Sequence, residues 1–351
     1  MAPPVKKLLS VLAGHRQHPP PIWLMRQAGR YLPEYRALRG KARDFLHFCY
    51  SPDLATEATL QPIRRFDLDA AIIFSDILVI PHALGRDVRF VENEGPLLER
   101  LQAQDALPEL DADGFVAHLA PVYQALRQTR AALPADKTLI GFAGAPWTLA
   151  CYMIDGKSRK DAAGQAHFDQ ALHWARHDPG HLDQLVDLLC DAIVLHGIRQ
   201  IDAGAEALQL FDSWAGLLDG ALLQRFSIDP LIRIAQNIRS QRPDVPIIVF
   251  PRETGRLSQA YASSGAFQGI SIDGKVELSF ARQALQPHCA VQGNLDPARL
   301  VEGGAAMENA VRSIMRELDG GPFVFNLGHG VVPQTPPEHV ARLVALVRSV
   351  G

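Results

Sequence analysis

No two of the four cysteines in this 351-residue chain stand close enough to make a C-x-x-C pair; Cys49, Cys151, Cys190 and Cys289 are scattered along its length. That spacing indicates neither a disulfide framework nor a zinc ribbon, and it fits a reducing cytoplasm. A P-loop and an H-E-x-x-H pair are also missing, and no G-x-G-x-x-G turn follows the first strand. Lysine is scarce: there are seven, none in a recognisable Schiff-base context, which argues against pyridoxal phosphate. No apolar run approaches the length of a membrane span. The opening MAPPVKKLLSVLAGHRQHPP sets Lys6 and Lys7 before Leu8–Leu12, but that run is too short for a signal peptide and basic, polar and proline residues follow it at once. It predicts a short amphipathic helix and a proline-stiffened connection. No Ser/Gly-rich linker divides the chain, so residues 1–351 are expected to form one domain, with 1–20 as an N-terminal extension.

What is present is the make-up of a globular enzyme, 47% hydrophobic and 21% charged, long enough to bury a large core. Ser51–Arg65 opens with a Ser-Pro helix start and predicts a helix. It leads into Leu68–Ile80, whose Ala-Ala-Ile-Ile-Phe run reads as a strand buried on both faces and ends abruptly at Ser75-Asp76. The same grammar recurs at Thr138–Gly141, Ala207–Phe211, Pro246–Phe250, Gly269–Ile272, Ala290–Gln292 and Pro322–Phe325. Helical segments lie between, among them Gly180–Gln200, Leu217–Phe226, Pro230–Arg242, Glu277–Leu285 and Ala305–Leu318, and Pro337–Val350 reads as a closing helix. Arg86–Leu98 alternates like a hairpin. The seven countable units, with an eighth strand available at Ile22–Met25, favour an α/β fold of the TIM-barrel kind, whose chemistry sits past the carboxyl ends of the strands.

The candidate chemistry centres on Pro21–Arg36, PIWLMRQAGRYLPEYR. From Arg26 to Arg43 the basic residues are Arg26, Arg30, Arg36, Arg39, Lys41 and Arg43, against one acid, Glu34, in a chain whose formal net charge is -3. The positive charge is local, which suits a ligand with several carboxylates or phosphates. If Met25–Tyr31 is a helical turn, Arg26 and Arg30 share a face; if it is a loop, Gly29 lets backbone amides approach a ligand. Arginines at this spacing are often only solvated surface, but Trp23, Met25 and Tyr31 are too apolar for a free face. Asp76, after AIIFS, is expected at the barrel mouth opposite the arginines, with a helix N-cap as its plainer role. Tyr152 and Ser213 offer neutral hydrogen bonds. His329, framed by glycines in LGHG, offers a carboxylate contact or a proton, or a purely structural role. His288 and Cys289 are adjacent, and adjacent residues rarely bind one zinc ion.

These residues fall in the blocks PIWLMRQAGRYLPEYR, TLQPIRRFDLDAAIIFSDIL, GFAGAPWTLACYMIDG, LQLFDSWAG, QGNLDP and FNLGHGVVPQTPPEHV. Through them the chain resembles the uroporphyrinogen decarboxylase family of haem biosynthesis, from about Pro21 to the C-terminal helix. The resemblance implies a single-domain (β/α)8 TIM barrel with its cleft at the C-terminal ends of the strands, a homodimer, and a cytoplasmic enzyme that uses neither metal nor organic cofactor. The implied reaction converts four acetate side chains of uroporphyrinogen III to methyls, giving coproporphyrinogen III. Matched by position, Asp76, Arg26 and Arg30 are the implied catalytic residues, Asp76 stabilising a protonated pyrrole and one guanidinium donating or orienting a proton. Arg26, Gln27, Ala28, Gly29, Arg30, Phe45, Asp76, Tyr152, Ser213 and His329 are the implied substrate contacts. Ala162–His181, rich in Gly, Gln and His, departs from the family pattern and receives no role. Nucleic acid and membrane are not expected partners. Two other classes stay open: a corrinoid-linked methyltransferase of the related barrel family, for which zinc held by His and Cys is expected and Cys289 lacks an H-x-C partner, and a non-catalytic tetrapyrrole-binding protein.

Overall fold

The computed structural model describes residues 5–91, 95–160 and 166–349. Seven strands lie side by side in one parallel sheet in chain order: β1 (Ala70–Ile72), β2 (Thr138–Gly144), β3 (Ala207–Asp212), β4 (Ile247–Pro251), β5 (Gly269–Ser271), β6 (Ala290–Leu295) and β7 (Phe323–Leu327). All seven apolar runs read from the sequence are strands. The expected eighth strand is not one. Ile22 makes a single parallel bridge to Phe325, and on its other side Asp69 N donates to Ile22 O at 2.9 Å while Ile22 N donates to the Asp69 carboxylate at 2.8 Å. The sheet therefore closes into a barrel through Ile22, but the ladder cannot grow backwards, because Pro19, Pro20 and Pro21 bring no N–H groups.

Residues of alternate parity on each strand point inward. A second apolar cluster fills the barrel interior with Trp23, Met25, Ile140, Ala207, Ile248, Phe250, Ala290 and Val324. The N-terminal helix Lys7–Leu12 belongs to it and presses Leu8, Val11 and Leu12 into the floor. Each of these burials contributes about 1.5–3 kcal/mol. The 1–20 extension is thus built into the fold as far as it is described. One polar layer crosses the interior: Trp23 Nε1 donates to Gln292 Oε1 at 2.8 Å, and Gln292 Nε2 donates to Ser271 Oγ at 2.6 Å and to Gln209 Oε1 at 3.1 Å. A buried indole N–H needs such an acceptor, and the layer supplies it.

Helices Pro52–Phe66, Ala112–Ala132, Pro179–Asp202, Gly304–Leu318 and Pro337–Ser349 cover the outside of the sheet with the main core. Ala112–Ala132 has no counterpart in the reading from sequence; Pro121 inside it interrupts the helical signal. The two helices expected at Leu217–Phe226 and Pro230–Arg242 are instead one run, Gly220–Leu223, a wide turn at Gln224–Ile228, then Asp229–Gln241. The wide turn shifts the hydrogen-bonding register just before Pro230, so that residue's missing N–H leaves no gap in the middle of a regular helix. Glu277–Leu285 likewise shortens to Leu278–Phe280 and a wide turn Ala281–Leu285. The expected hairpin forms, with Val88–Val91 antiparallel to Gly95–Leu98. Of Ala162–His181, residues 162–165 lie outside the described residues, and helices Asp169–His177 and Pro179–Asp202 account for most of the remainder.

Candidate active site

A cavity of about 470 Å³ opens at the carboxyl ends of β1–β4 and β7, within the size range of small-molecule sites. Its floor is apolar. Phe142, Phe211 and Phe250, from three consecutive strands, meet edge to face at 5.8 Å and 6.3 Å, next to Ile72 and Met25. Charged and polar groups stand around this floor: Arg26, Asp76, Tyr152, Ser213, Arg252 and His329. Phe90 and Pro96 of the hairpin close one side.

The segment carrying Arg26 is a loop, which overturns the helical-turn alternative. Arg26 adopts φ 58°, in the left-handed region, and this breaks the geometry that would stack residues four apart. Arg26 and Arg30 are both exposed, but Arg26 lines the cavity and Arg30 does not. Arg30 does stay on the same side of the molecule, since it and Asp76 both act electrostatically on Tyr35. Gln27 is buried and structural: its Oε1 accepts from Leu24 N at 3.0 Å and its Nε2 donates to Ala70 O at 3.1 Å, tying the loop to β1. Ala28 and Gly29 are half-buried and off the cavity wall. Met25 N donates to Asn326 Oδ1 at 3.0 Å and Val331 N to Met25 O at 2.9 Å, so the loop is also tied to β7 and the turn after it. Phe45 stands one layer back, 4.5 Å from the Phe90 ring and 5.9 Å from Phe74.

Asp76 lies just beyond β1. Its Oδ1 accepts from Leu78 N at 2.9 Å, which closes a local turn and is not the expected helix N-cap, since the N-cap of Val79–Ala83 is Leu78 with no side-chain cap bond. Oδ2 has no donor among the described residues. Burial pushes the carboxyl up to about 6, against the Leu78 N–H and Arg26, which both pull it down. Over neutral pH the carboxylate is therefore ionised inside an enclosed wall, a costly state typical of sites where charge does chemistry. If ionised Asp76 is required, kcat/KM is expected to fall on the acid side with an apparent pKa of about 6. His329 is held too low to produce that limb, but Asp212 is also pushed up to about 6 by burial. A pH–rate profile of Asp76→Asn decides between them: the limb should vanish, and its persistence would assign it elsewhere.

Tyr152 comes from helix Pro146–Asp155, and burial, with Asp76 nearby, raises its hydroxyl pKa, so it is a neutral donor. The Ser213–Trp214 peptide is pinned by the same helix: Trp214 N donates to Thr148 Oγ1 at 3.2 Å and Trp147 Nε1 to Trp214 O at 2.9 Å. Thr148 in turn donates to buried Asp212 at 2.6 Å, which also accepts from Ser227. His329 follows β7 and is pushed down to about 3 by burial and by the Arg26 and Arg252 charges, so it is a neutral imidazole. Beside it, a Cβ on Gly330 would come within 2.5 Å of Arg26 Cδ; glycine there leaves room for the Arg26 stem.

The structure thus brings Arg26, Asp76, Tyr152, Ser213 and His329 to one cavity, and leaves Gln27, Ala28, Gly29, Arg30 and Phe45 off its wall. Among the polar lining residues, Ser75, Ser158, Trp214 and Arg252 received no role from the sequence. Ser75, Trp214 and Arg252 each sit within three residues past a strand, and that position was the signal available. Ser75 Oγ, Trp214 Nε1 and His329 Nδ1 are buried without a hydrogen-bond partner among the described residues. The Tyr152 hydroxyl is close enough to the Trp214 side chain to feel it electrostatically, but Trp214 Nε1 is outside hydrogen-bonding geometry with it. Buried polar atoms are rarely left unpaired, and three of them belong to residues that line this cavity. Among the described residues no group of three or more His, Cys, Asp or Glu side chains is placed to hold a metal ion. Cys289 precedes β6 and so sits at the opposite end of the barrel from His329.

Fold and site define a parallel barrel whose mouth suits a ligand with an apolar face and an acidic perimeter. The family model for uroporphyrinogen decarboxylase (URO-D) matches residues 3–350, and the chain belongs to that family. It is 49% identical over 344 residues to the uroporphyrinogen decarboxylase of Rhodospirillum rubrum, covering 98% of this chain and 97% of that one. Against the enzyme of the same name from Chelativorans sp. (strain BNC1) it is 50% identical over 343 residues, 98% of each. In three dimensions it superposes on a methyltransferase from Methanosarcina mazei with a TM-score of 0.80 over 98% of both chains, at 18% identity. That last likeness concerns the fold alone.

Proposed function

We propose that this chain is a carboxy-lyase that removes CO2 from the four acetate side chains of uroporphyrinogen III, leaving methyls and giving coproporphyrinogen III for haem biosynthesis. The observation that carries this is the placing of an enclosed carboxylate, Asp76, over an aromatic floor and beside Arg26. Decarboxylation of an acetate arm needs an electron sink. A pyrrole protonated at a ring carbon becomes one, and it carries positive charge next to the arm. Asp76 stabilises that charge and accepts from pyrrole N–H groups through its free oxygen. Arg26, inside the cavity, holds an acidic arm and donates or orients the proton; Arg30 meets an arm at the rim. Tyr152, Ser213 and His329 add neutral hydrogen bonds, and Gln27, Ala28, Gly29 and Phe45 shape the wall behind. Metal and organic cofactor play no part in this reading. Residues 1–351 act as one domain, in a cytoplasmic homodimer; no helix among the described residues is long and apolar enough to cross a membrane.

Anaerobic incubation with uroporphyrinogen III, followed by oxidation and chromatography of the porphyrins, tests the proposal. Coproporphyrin should accumulate through partly decarboxylated intermediates, at a rate unchanged by prior dialysis against chelator. Binding without turnover would make the chain a tetrapyrrole carrier. A stoichiometric zinc ion whose removal abolishes activity would point to the methyltransferase class.

A further inference from the structure

We infer that Arg252 is the second cationic pole of the cavity, taking a carboxylate arm of the bound tetrapyrrole in exchange for its resident partner Glu253. This rests on reading the cavity as a site for a tetrapyrrole with acidic arms. The argument begins with barrel order. Arg26 leaves the segment that closes the sheet between β7 and β1, and Arg252 follows β4, the middle strand of the seven. The two guanidinium groups therefore approach the same cavity from opposite sides of the ring. A macrocycle with acetate and propionate arms around its whole rim cannot be neutralised from the Arg26 side alone.

The Arg252 backbone is fixed on both faces. Its N–H donates to Asp212 O at 3.1 Å and its C=O accepts from Gly216 N at 3.0 Å. The next residue, Glu253, is turned out of line by φ 62° and held by Asp273, whose carboxylate accepts from Glu253 N at 2.8 Å. Only the Arg252 side chain is left to move. At rest its Nη2 meets Glu253 Oε1 at 2.9 Å, and the same carboxylate oxygen accepts from Lys275 Nζ at 3.2 Å. When Arg252 swings to a ligand arm, Glu253 keeps Lys275 as counter-ion, so the exchange strands no charge. Arginine suits this role because its planar fork can take a carboxylate through two parallel bonds. Burial first, and then the charges of both arginines, keep His329 neutral, so the imidazole adds no third positive charge between them.

The test uses the full chain with uroporphyrin and coproporphyrin as fluorescent probes, and uroporphyrinogen III for turnover. Arg252→Gln should weaken uroporphyrin binding about tenfold, as expected for a lost charge-assisted pair, and raise KM while kcat stays within about threefold. Arg252→Lys should recover most of the loss at low salt. Glu253→Gln, which removes the resident competitor, should bind about twofold more tightly, the scale of one half-exposed ion pair. Unchanged binding in an Arg252→Gln protein of parental melting temperature would overturn the inference, and so would a fall confined to kcat. Weaker binding in Glu253→Gln would overturn the exchange, showing that Glu253 holds Arg252 in place. An Arg252-dependent affinity in a chain that releases no CO2 would support this inference while removing the proposed reaction.

Discussion

Asp76→Asn is expected to lose about 10²–10³ in kcat with a much smaller change in KM, the usual cost of removing a preorganised charge from a developing cation. Asparagine keeps the size, and its oxygen can still accept from Leu78 N, so the turn stays closed. What it removes is the ionised oxygen that no protein group satisfies. Asp76→Glu should retain more activity than Asn, because it keeps the charge and misplaces it. The same change has a signature in stability. The Asp76 carboxyl is held up to about 6 in the folded chain, so its contribution to stability is complete below the unfolded value of about 4 and is lost as pH rises through the folded one. Asp76→Asn should therefore melt above the parent at pH 8 and close to it at pH 4. Near-normal kcat in this variant would reduce Asp76 to a loop cap, and the mechanism would have to be abandoned.

Arg26→Gly is expected to reduce kcat/KM by about 10², from the loss of a charge-assisted hold on one arm together with the proton it donates or orients. Glycine is the informative replacement because Arg26 sits at φ 58°. A side chain in that region costs about 1–2 kcal/mol, which glycine relieves. The variant should be at least as stable as the parent and almost inactive, separating function from folding. Gly330→Ala should imitate it without removing the charge, because its Cβ would fall 2.5 Å from Arg26 Cδ and push the guanidinium aside. Arg30→Ala, at an exposed position off the cavity wall, should stay within about tenfold and act mainly on KM. Steady-state kinetics on these variants, each with its melting curve, settles the ranking. An Arg30 effect larger than that of Arg26 would mean that the arm is held at the rim.

The strands were legible because a parallel sheet covered by helices buries both faces, so each strand is written as an unbroken apolar run with a chemical residue at its end. Asp76, Ser213 and His329 could be found by that rule, and Tyr152 entered through its block. Ser75 and Arg252 obey the same rule, yet nothing local distinguishes a strand-end side chain that turns into the mouth from one that turns away. The Arg26–Arg30 spacing misled for a related reason. Four residues apart means a shared face only on a helix, and the ties of Gln27 to β1 and of Met25 to Asn326 hold this segment in a loop instead.

Sequence by itself determined the repeat of strand and helix and the local excess of arginine, since composition and periodicity are properties of neighbours along the chain. Tertiary structure alone decided that Ile22 would close the sheet with one bridge, that Arg26 would line the cavity while Arg30 stayed off its wall, and that Arg252 would face Arg26 across the mouth. Those outcomes depend on contacts between residues tens to hundreds of positions apart, such as Ile22 with Phe325 and Arg26 with Gly330. Only closing the barrel brings such residues together.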